Sequence, residues 1–268
     1  MNSINHTWPL NLLELYNERG VNQISRFCNH TEQLVPNELV AAYHRARKSA
    51  PHRQERNKRY FVGHSGVTSS GGYSKRREEH LAVALWNSTQ EYGPLALLDG
   101  RTLEFLDYQF PLKAQRSDKG IGKVDLFGLF DNTTPCVIEL KIHAAGKGSS
   151  DTPLRAFLEA LAYCAIVEAN ARDIAREVLD NCGKKLIRER PDLVLMAPEE
   201  YWLRYINHQK AGEWWPALRR LADQLNKSFG LESHFIGLRD AKFSMGLEGQ
   251  KPQLLGNCSL INLSDLLS

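Results

Sequence analysis

The chain has 268 residues, 42% of them apolar and 24% charged, with a formal net charge of +3. This is enough apolar material to bury a sizeable core and excludes a disordered chain, while so small a net charge says nothing by itself about nucleic acid. The start MNSINHTWPLNLLELYNERG has no signal-peptide layout and no apolar run nears the roughly 18 to 20 residues of a membrane span, so we expect a cytoplasmic protein with no membrane association.

Residues 1–62 read as a helical extension. LNLLELYNERG carries apolar residues at helical spacing up to Gly20, and Pro36 and Asn37 open a second segment, NELVAAYHRARKSA, that stops before Pro51. Toward its end the extension is basic: Arg45, Arg47, Lys48, Arg53, Arg56, Lys58 and Arg59 stand against Glu55 alone, and Lys75 and Arg76 follow. Such an excess either tracks phosphates or forms a solvated face. GHSGVTSSGGYS, residues 63–74, is the one stretch rich enough in glycine and serine for a linker or loop.

Residues 75–268 change character. KRREEHLAVALWNSTQEYG predicts a helix, LEFLDYQFPLKA a strand, KVDLFGLF and PCVIELKIH two more, and DTPLRAFLEALAYCAIVEANARDIAREVL one long helix or two abutting ones. PDLVLMAP is a short buried strand, WWPALRRLADQLNKSFG a helix capped by Gly230, and ESHFIGLRD a further strand. This order predicts an α/β fold, a mixed central sheet with helices on both faces. The five cysteines are odd in number and widely spaced, with no CxxC pair, which fits reduced thiols.

The two strands KVDLFGLF and PCVIELKIH carry charges where apolar residues are usual. Alternation puts Glu139 and Lys141 on one face with Val137, and Ile138, Leu140 and Ile142 on the other, which we expect to be the core face. DNTTP between the strands favours an antiparallel hairpin. If Phe130 stands opposite Cys136, Asp125 stands opposite Lys141 and Phe127 opposite Glu139, so the three charges converge. A buried ion-pair network is one explanation. The other is a hard-oxygen site for Mg²⁺, with Mn²⁺ as substitute, in which a lysine orients the attacking water of a phosphodiester hydrolysis.

Asp125, a hairpin, and IELK with Glu139 and Lys141 resemble the PD-(D/E)xK nuclease superfamily, the restriction-endonuclease-like fold. The resemblance covers roughly residues 75–200 and implies a Mg²⁺-dependent nuclease, with DNA the favoured substrate. It implies that Asp125, Glu139 and the Leu140 carbonyl hold the metal, that Lys141 positions the water, and that the preceding helix adds an acid. Both Glu78 and Glu79 suit that helix, in different phases; we place Glu79 in the metal set and keep Glu78 beside it. Arg155, Glu159 and Tyr163 recur every four residues, like the polar stripe QxxxY of the family with glutamate for glutamine, and would support the site. The basic residues between Arg45 and Arg76 would hold the phosphate backbone. A homo-oligomer or protein partner through the N-terminal helices, an inactive binding subunit of the same fold, and a hydrolase of small phosphate esters remain alternatives.

Overall fold

The computed structural model describes residues 11–67, 77–143, 151–244, 250–256 and 258–267. Along the chain these form α1 (Leu12–Leu15), α2 (Phe27–Gln33), α3 (Pro36–Lys48), α4 (Arg77–Tyr92), β1 (Leu95–Ala96), β2 (Thr102–Pro111), β3 (Lys123–Phe130) and β4 (Thr134–Leu140). Then follow α5 (Pro153–Ala169), α6 (Ala171–Cys182), β5 (Asp192–Pro198), α7 (Glu199–Ile206), α8 (Trp214–Phe229), β6 (Ser233–Arg239), β7 (Lys242–Phe243), β8 (Leu254–Leu255), β9 (Ser259–Asn262) and α9 (Leu263–Leu266).

The fold is α/β. Seven strands form one mixed sheet in the order β1-β2-β3-β4-β5-β6-β9, antiparallel except for the parallel pairs β4–β5 and β5–β6. A bridge between Leu97 and Leu260 brings the two outer strands together, so the sheet curls around α4. Leu81, Val83 and Leu85 of α4 fill the space inside the curl with Phe105, Leu126, Ile138, Val194 and Ile236. The other sheet face, with Phe127, Leu129, Val137 and Leu195, is covered by Leu154, Phe157, Leu158 and Leu161 of α5. Both faces of β4 are therefore core, and the charged face is as deeply covered as the apolar one.

The predicted extension is built into this second layer. Leu12, Leu15, Phe27, Leu39 and Tyr43 belong to the same apolar cluster as α5, α7 and α8, and Tyr43 donates its hydroxyl to Glu168 of α5 at 2.7 Å. Residues 63–67 of the predicted linker are docked as well: Gly66 N–H donates to the Tyr108 hydroxyl, and Asn87 donates to the Gly66 carbonyl. Residues 68–74 lie outside the described residues. The long helical stretch is two helices that abut at Asn170, whose amide donates to the Ile166 and Pro51 carbonyls. Gly230 caps α8 in the left-handed conformation, as its position in the sequence predicts.

The hairpin register differs by two residues from the expectation. Gly128 faces Cys136 and Phe130 faces Thr134, because Asp131 and Asn132 both take positive φ and close a turn in which Thr133 N–H reaches the Phe130 carbonyl. A slip of two preserves the face of every side chain, so the convergence of the three charges survives it.

Candidate active site

Asp125 lies near the start of β3, Glu139 near the end of β4, and Lys141 one residue past that end, held in line by its N–H donating to the Met196 carbonyl of β5. Lys141 Nζ is 2.6 Å from Glu139 Oε1, 3.8 Å from Glu78 Oε1 and 3.7 Å from Asp151 Oδ2. Asp125 Oδ2 accepts the Leu140 N–H at 2.9 Å. Depth follows the same order: the Glu139 and Lys141 side chains are 4% and 8% exposed, those of Asp151 and Glu78 27% and 35%. The cluster is thus a recessed floor of Asp125, Glu139 and Lys141 with a rim of Glu78 and Asp151.

Of the two candidate acids on α4, Glu78 is the one beside Lys141, which corrects the placement of Glu79 in the metal set. The charge of Glu79 bears instead on His80 and Tyr108. The stripe on α5 forms as expected: Arg155 donates to Glu159 at 3.1 Å and the Tyr163 hydroxyl to Glu159 at 2.9 Å. Tyr163 lies against Gly122, where any Cβ would collide with its hydroxyl, so this loop glycine is required by close approach.

Sequence reasoning missed Asp151. It extends the spacing of Arg155, Glu159 and Tyr163 by one step toward the N-terminus, which is the signal that could have found it. Its Oδ2 takes Arg155 Nη1 at 2.5 Å and its Oδ1 takes Asn22 Nδ2 at 2.9 Å, while Asn22 Oδ1 accepts the Thr152 N–H. Tyr201 and Tyr205 hydroxyls hold its carbonyl. Asn22 belongs to the N-terminal segment, as does Tyr16, whose hydroxyl donates to the Gly120 carbonyl and whose ring lies under Arg155. The start of the predicted helical extension therefore braces the acids.

Gln109 reaches the floor by a bulge. Phe105 pairs with Gly128 but Asp107 with Phe127, so Leu106 is an extra residue in β2. Without it Tyr108 would stand across from Asp125; with it Gln109 does, at φ 49, and its amide lies 3.5 Å from Asp125 Oδ1. A non-glycine residue at such a φ costs about 1 to 2 kcal/mol. Gln109→Gly is expected to raise Tm by about 2 °C in a thermal melt, because the strain at this position is relieved. A lower Tm would show that the Gln109 side chain contributes more to stability than its backbone strain costs.

Burial pushes Asp125 up to about 7 and Glu139 well above the usual carboxylate range, against the pull of Lys141. Burial likewise raises Glu78. Burial opposes the charge on Lys141, yet Glu139, Glu78 and Asp125 hold its pKa well above the ordinary lysine value. One ammonium cannot neutralise all these acids, so burial favours proton uptake by the floor, and a divalent cation would compete with those protons. The donor set suits a hard cation: Asp125 and Glu139 offer only oxygen, and Glu139 Oε2 is buried with no hydrogen-bond partner.

Among the described residues, however, the three ligand atoms that lie within 4.8 Å of one another belong to Asp192, Glu232 and His234, at the opposite end of the parallel strands. That group is close enough to hold a metal ion, but guanidiniums flank it. Arg188 donates to Asp192, and Arg101 Nη1 lies 3.4 Å from His234 Nδ1. An arginine only donates, so His234 presents Nε2–H to Asp192 at 3.1 Å, and burial holds the imidazole neutral with a pKa of about 4. Asp192 is thus paired with Arg188 and hydrogen-bonded to a neutral His234, while Arg188 Nε stays buried without a partner.

The basic run does not form one surface. Arg53 is buried and spends its guanidinium on the carbonyls of Arg59 and Lys113, a correction to its placement among phosphate contacts. Lys58 donates to the Ala114 carbonyl at 2.5 Å. Arg47 pairs with Glu168 at the far end of α5 from Arg155, about 20 Å away at 1.5 Å per helical residue, and Arg45 and Lys48 are within one turn of it. Arg56 and Arg59 are exposed, and Lys75 and Arg76 lie outside the described residues. No helix among the described residues is long and apolar enough to cross a membrane. No family model matches the chain, and neither does a curated protein or a solved structure.

Proposed function

We propose that the chain is a Mg²⁺-dependent phosphodiesterase acting on nucleic acid, DNA in the first instance, with a restriction-endonuclease-like arrangement of its sheet. The observation that carries the reading is the floor itself: Asp125 and Glu139 buried side by side with Lys141, and Glu139 Oε2 left without a partner. A stability-driven core would replace such a group with apolar residues, since buried ion pairs rarely repay their desolvation. Asp125, Glu139 and the Leu140 carbonyl would hold the cation, which when bound polarises a phosphoryl oxygen and acidifies its water. Lys141, released from Glu139, would orient the attacking water and stabilise charge on the phosphoryl oxygens. Gln109 and the Leu140 N–H fix Asp125; Glu159, Arg155 and Asp151 fix the approach to Lys141.

The test is cleavage of labelled single- and double-stranded DNA and of RNA in Mg²⁺ or Mn²⁺, comparing wild type with Asp125→Asn and Lys141→Ala. Wild-type cleavage is expected on at least one substrate, reduced about 10²- to 10⁴-fold in both variants. Absence of metal-dependent cleavage on every substrate would overturn the reading, and cleavage indifferent to both substitutions would move the site elsewhere.

A further inference from the structure

Beyond the carboxyl ends of the parallel strands β4, β5 and β6 lies a hollow of about 230 Å³, lined by Ile142 and His143 after β4, Pro198 and Glu200 at the end of β5, Ala241 and Phe243 after β6, and Arg77 at the start of α4. Crevices outside the carboxyl ends of such strands are where open α/β sheets take ligands. Its place is fixed relative to the acids by the chain: Arg77 adjoins Glu78, and His143 follows Lys141 by two residues, within about 7 Å at full extension. Ile142 and Phe243 lean on the apolar core inside the curl, which gives the hollow a firm floor, while Arg77 and His143 are exposed. Among the described residues the recorded partner of the Arg77 guanidinium is the Phe243 ring, 6.0 Å away, and not a carboxylate.

We propose that this hollow is a nucleotide subsite, taking one unpaired nucleotide of a single strand next to the phosphodiester held at Lys141; the proposal rests on the phosphodiesterase reading and specifies its substrate as single-stranded at that position. Phe243 offers a π-face on which a base stacks in place of the Arg77 guanidinium, which then turns with His143 to donate to the adjoining phosphate. Glu200, the carboxylate in the lining, repels phosphate and accepts from a base's exocyclic amino group, so the strand's backbone runs on the Arg77 and His143 side. A base inside a duplex presents no free face to Phe243, which is why the nucleotide must be unpaired.

The experiment measures binding of a fluorescein-labelled single-stranded deoxycytidine octamer, whose bases carry the exocyclic amino group, by anisotropy, with Ca²⁺ in place of Mg²⁺. Loss of one base–aromatic stack is expected to weaken binding about 5- to 100-fold in Phe243→Ala, and Phe243→Trp is expected to restore it. An abasic octamer should bind wild type and Phe243→Ala alike, a readout that general destabilisation would not give, and a duplex should bind equally to both. An octamer that binds Phe243→Ala as it binds wild type, or that does not bind wild type, would overturn the subsite. The two ideas fail separately. Binding through Phe243 without any cleavage in Mg²⁺ leaves the subsite and removes the nuclease. Hydrolysis of bis(p-nitrophenyl) phosphate that is lost in Asp125→Asn, with octamer binding indifferent to Phe243, does the reverse.

Discussion

Lys141→Met is expected to destabilise the protein by about 3 to 5 kcal/mol at pH 7, whereas Glu139→Gln leaves it at least as stable as wild type. The asymmetry comes from counting charges on the floor and rim. Among the described residues Lys141 is the single ammonium among Glu139, Glu78, Asp125 and Asp151, and it is almost fully buried. Removing it withdraws the positive charge that favours ionisation of these acids, which must then take up protons or stay charged without a counter-charge; removing Glu139 takes away the acid whose ionisation burial opposes most directly. Because burial raises the pKa of Asp125 and Glu139, the folded state binds protons that the unfolded state has released, and the deficit of Lys141→Met shrinks as pH falls and the acids are neutralised. Urea unfolding of both variants at pH 5 and pH 7 measures this. A Lys141→Met protein as stable as wild type at pH 7 would mean that the carboxylates are already protonated and that the ammonium contributes nothing.

The second large effect lies outside the acid cluster. Asp107→Asn is expected to stabilise the protein by up to about 4 kcal/mol at pH 8 and to change little at pH 4. Burial raises Asp107 from 3.8 to about 7, only partly offset by the Tyr108 N–H and Lys123, and its Oδ2 is buried without a partner. Below pH 3.8 the carboxyl is protonated in both folded and unfolded chains. Between there and pH 7 the folded chain alone keeps the proton, so stability falls as pH rises; above pH 7 the full penalty is present. An amide in its place removes that slope. His64 Nδ1, 3.6 Å from Asp107 Oδ1, does not rescue the charge, because burial lowers its own pKa. Denaturation midpoints of the two proteins across pH 4 to 8 should diverge steadily, and parallel curves would refute the assignment.

How far these features were legible in the sequence depends on how local their cause is. The strand alternation through Asp125, Glu139 and Lys141 survives a register slip of two, so their convergence could be read while the exact pairing could not. Glu78 and Glu79 both fit the apolar phase of α4, and only the curl of the sheet around that helix decides which meets Lys141. The bulge at Leu106 and the bracing of Asp151 by Asn22 depend on segments far apart in the chain. The strands β1, β7, β8 and β9 are two to four residues long, too short to carry a period. Counting basic residues could not distinguish Arg53, whose guanidinium binds backbone carbonyls, from the exposed Arg56.

The meeting of Leu97 with Leu260 has a consequence for how the chain is made. The strand that seals the curl comes late in the order of elements, while its partners on the opposite side, α4 and β1 to β4, precede it and emerge earlier. Asn262 reaches Asp99 at 3.5 Å across the same seam, so both contacts await β9. Until then β6 lacks its neighbour β9, and the nascent chain carries an unpaired strand edge beside apolar surface. Such a chain of high contact order folds slowly and is open to aggregation while it waits. Slow translation between β6 and β9 would lengthen that exposure, and soluble yield would depend more on how fast β9 follows β6 than on the segment that builds the acidic floor.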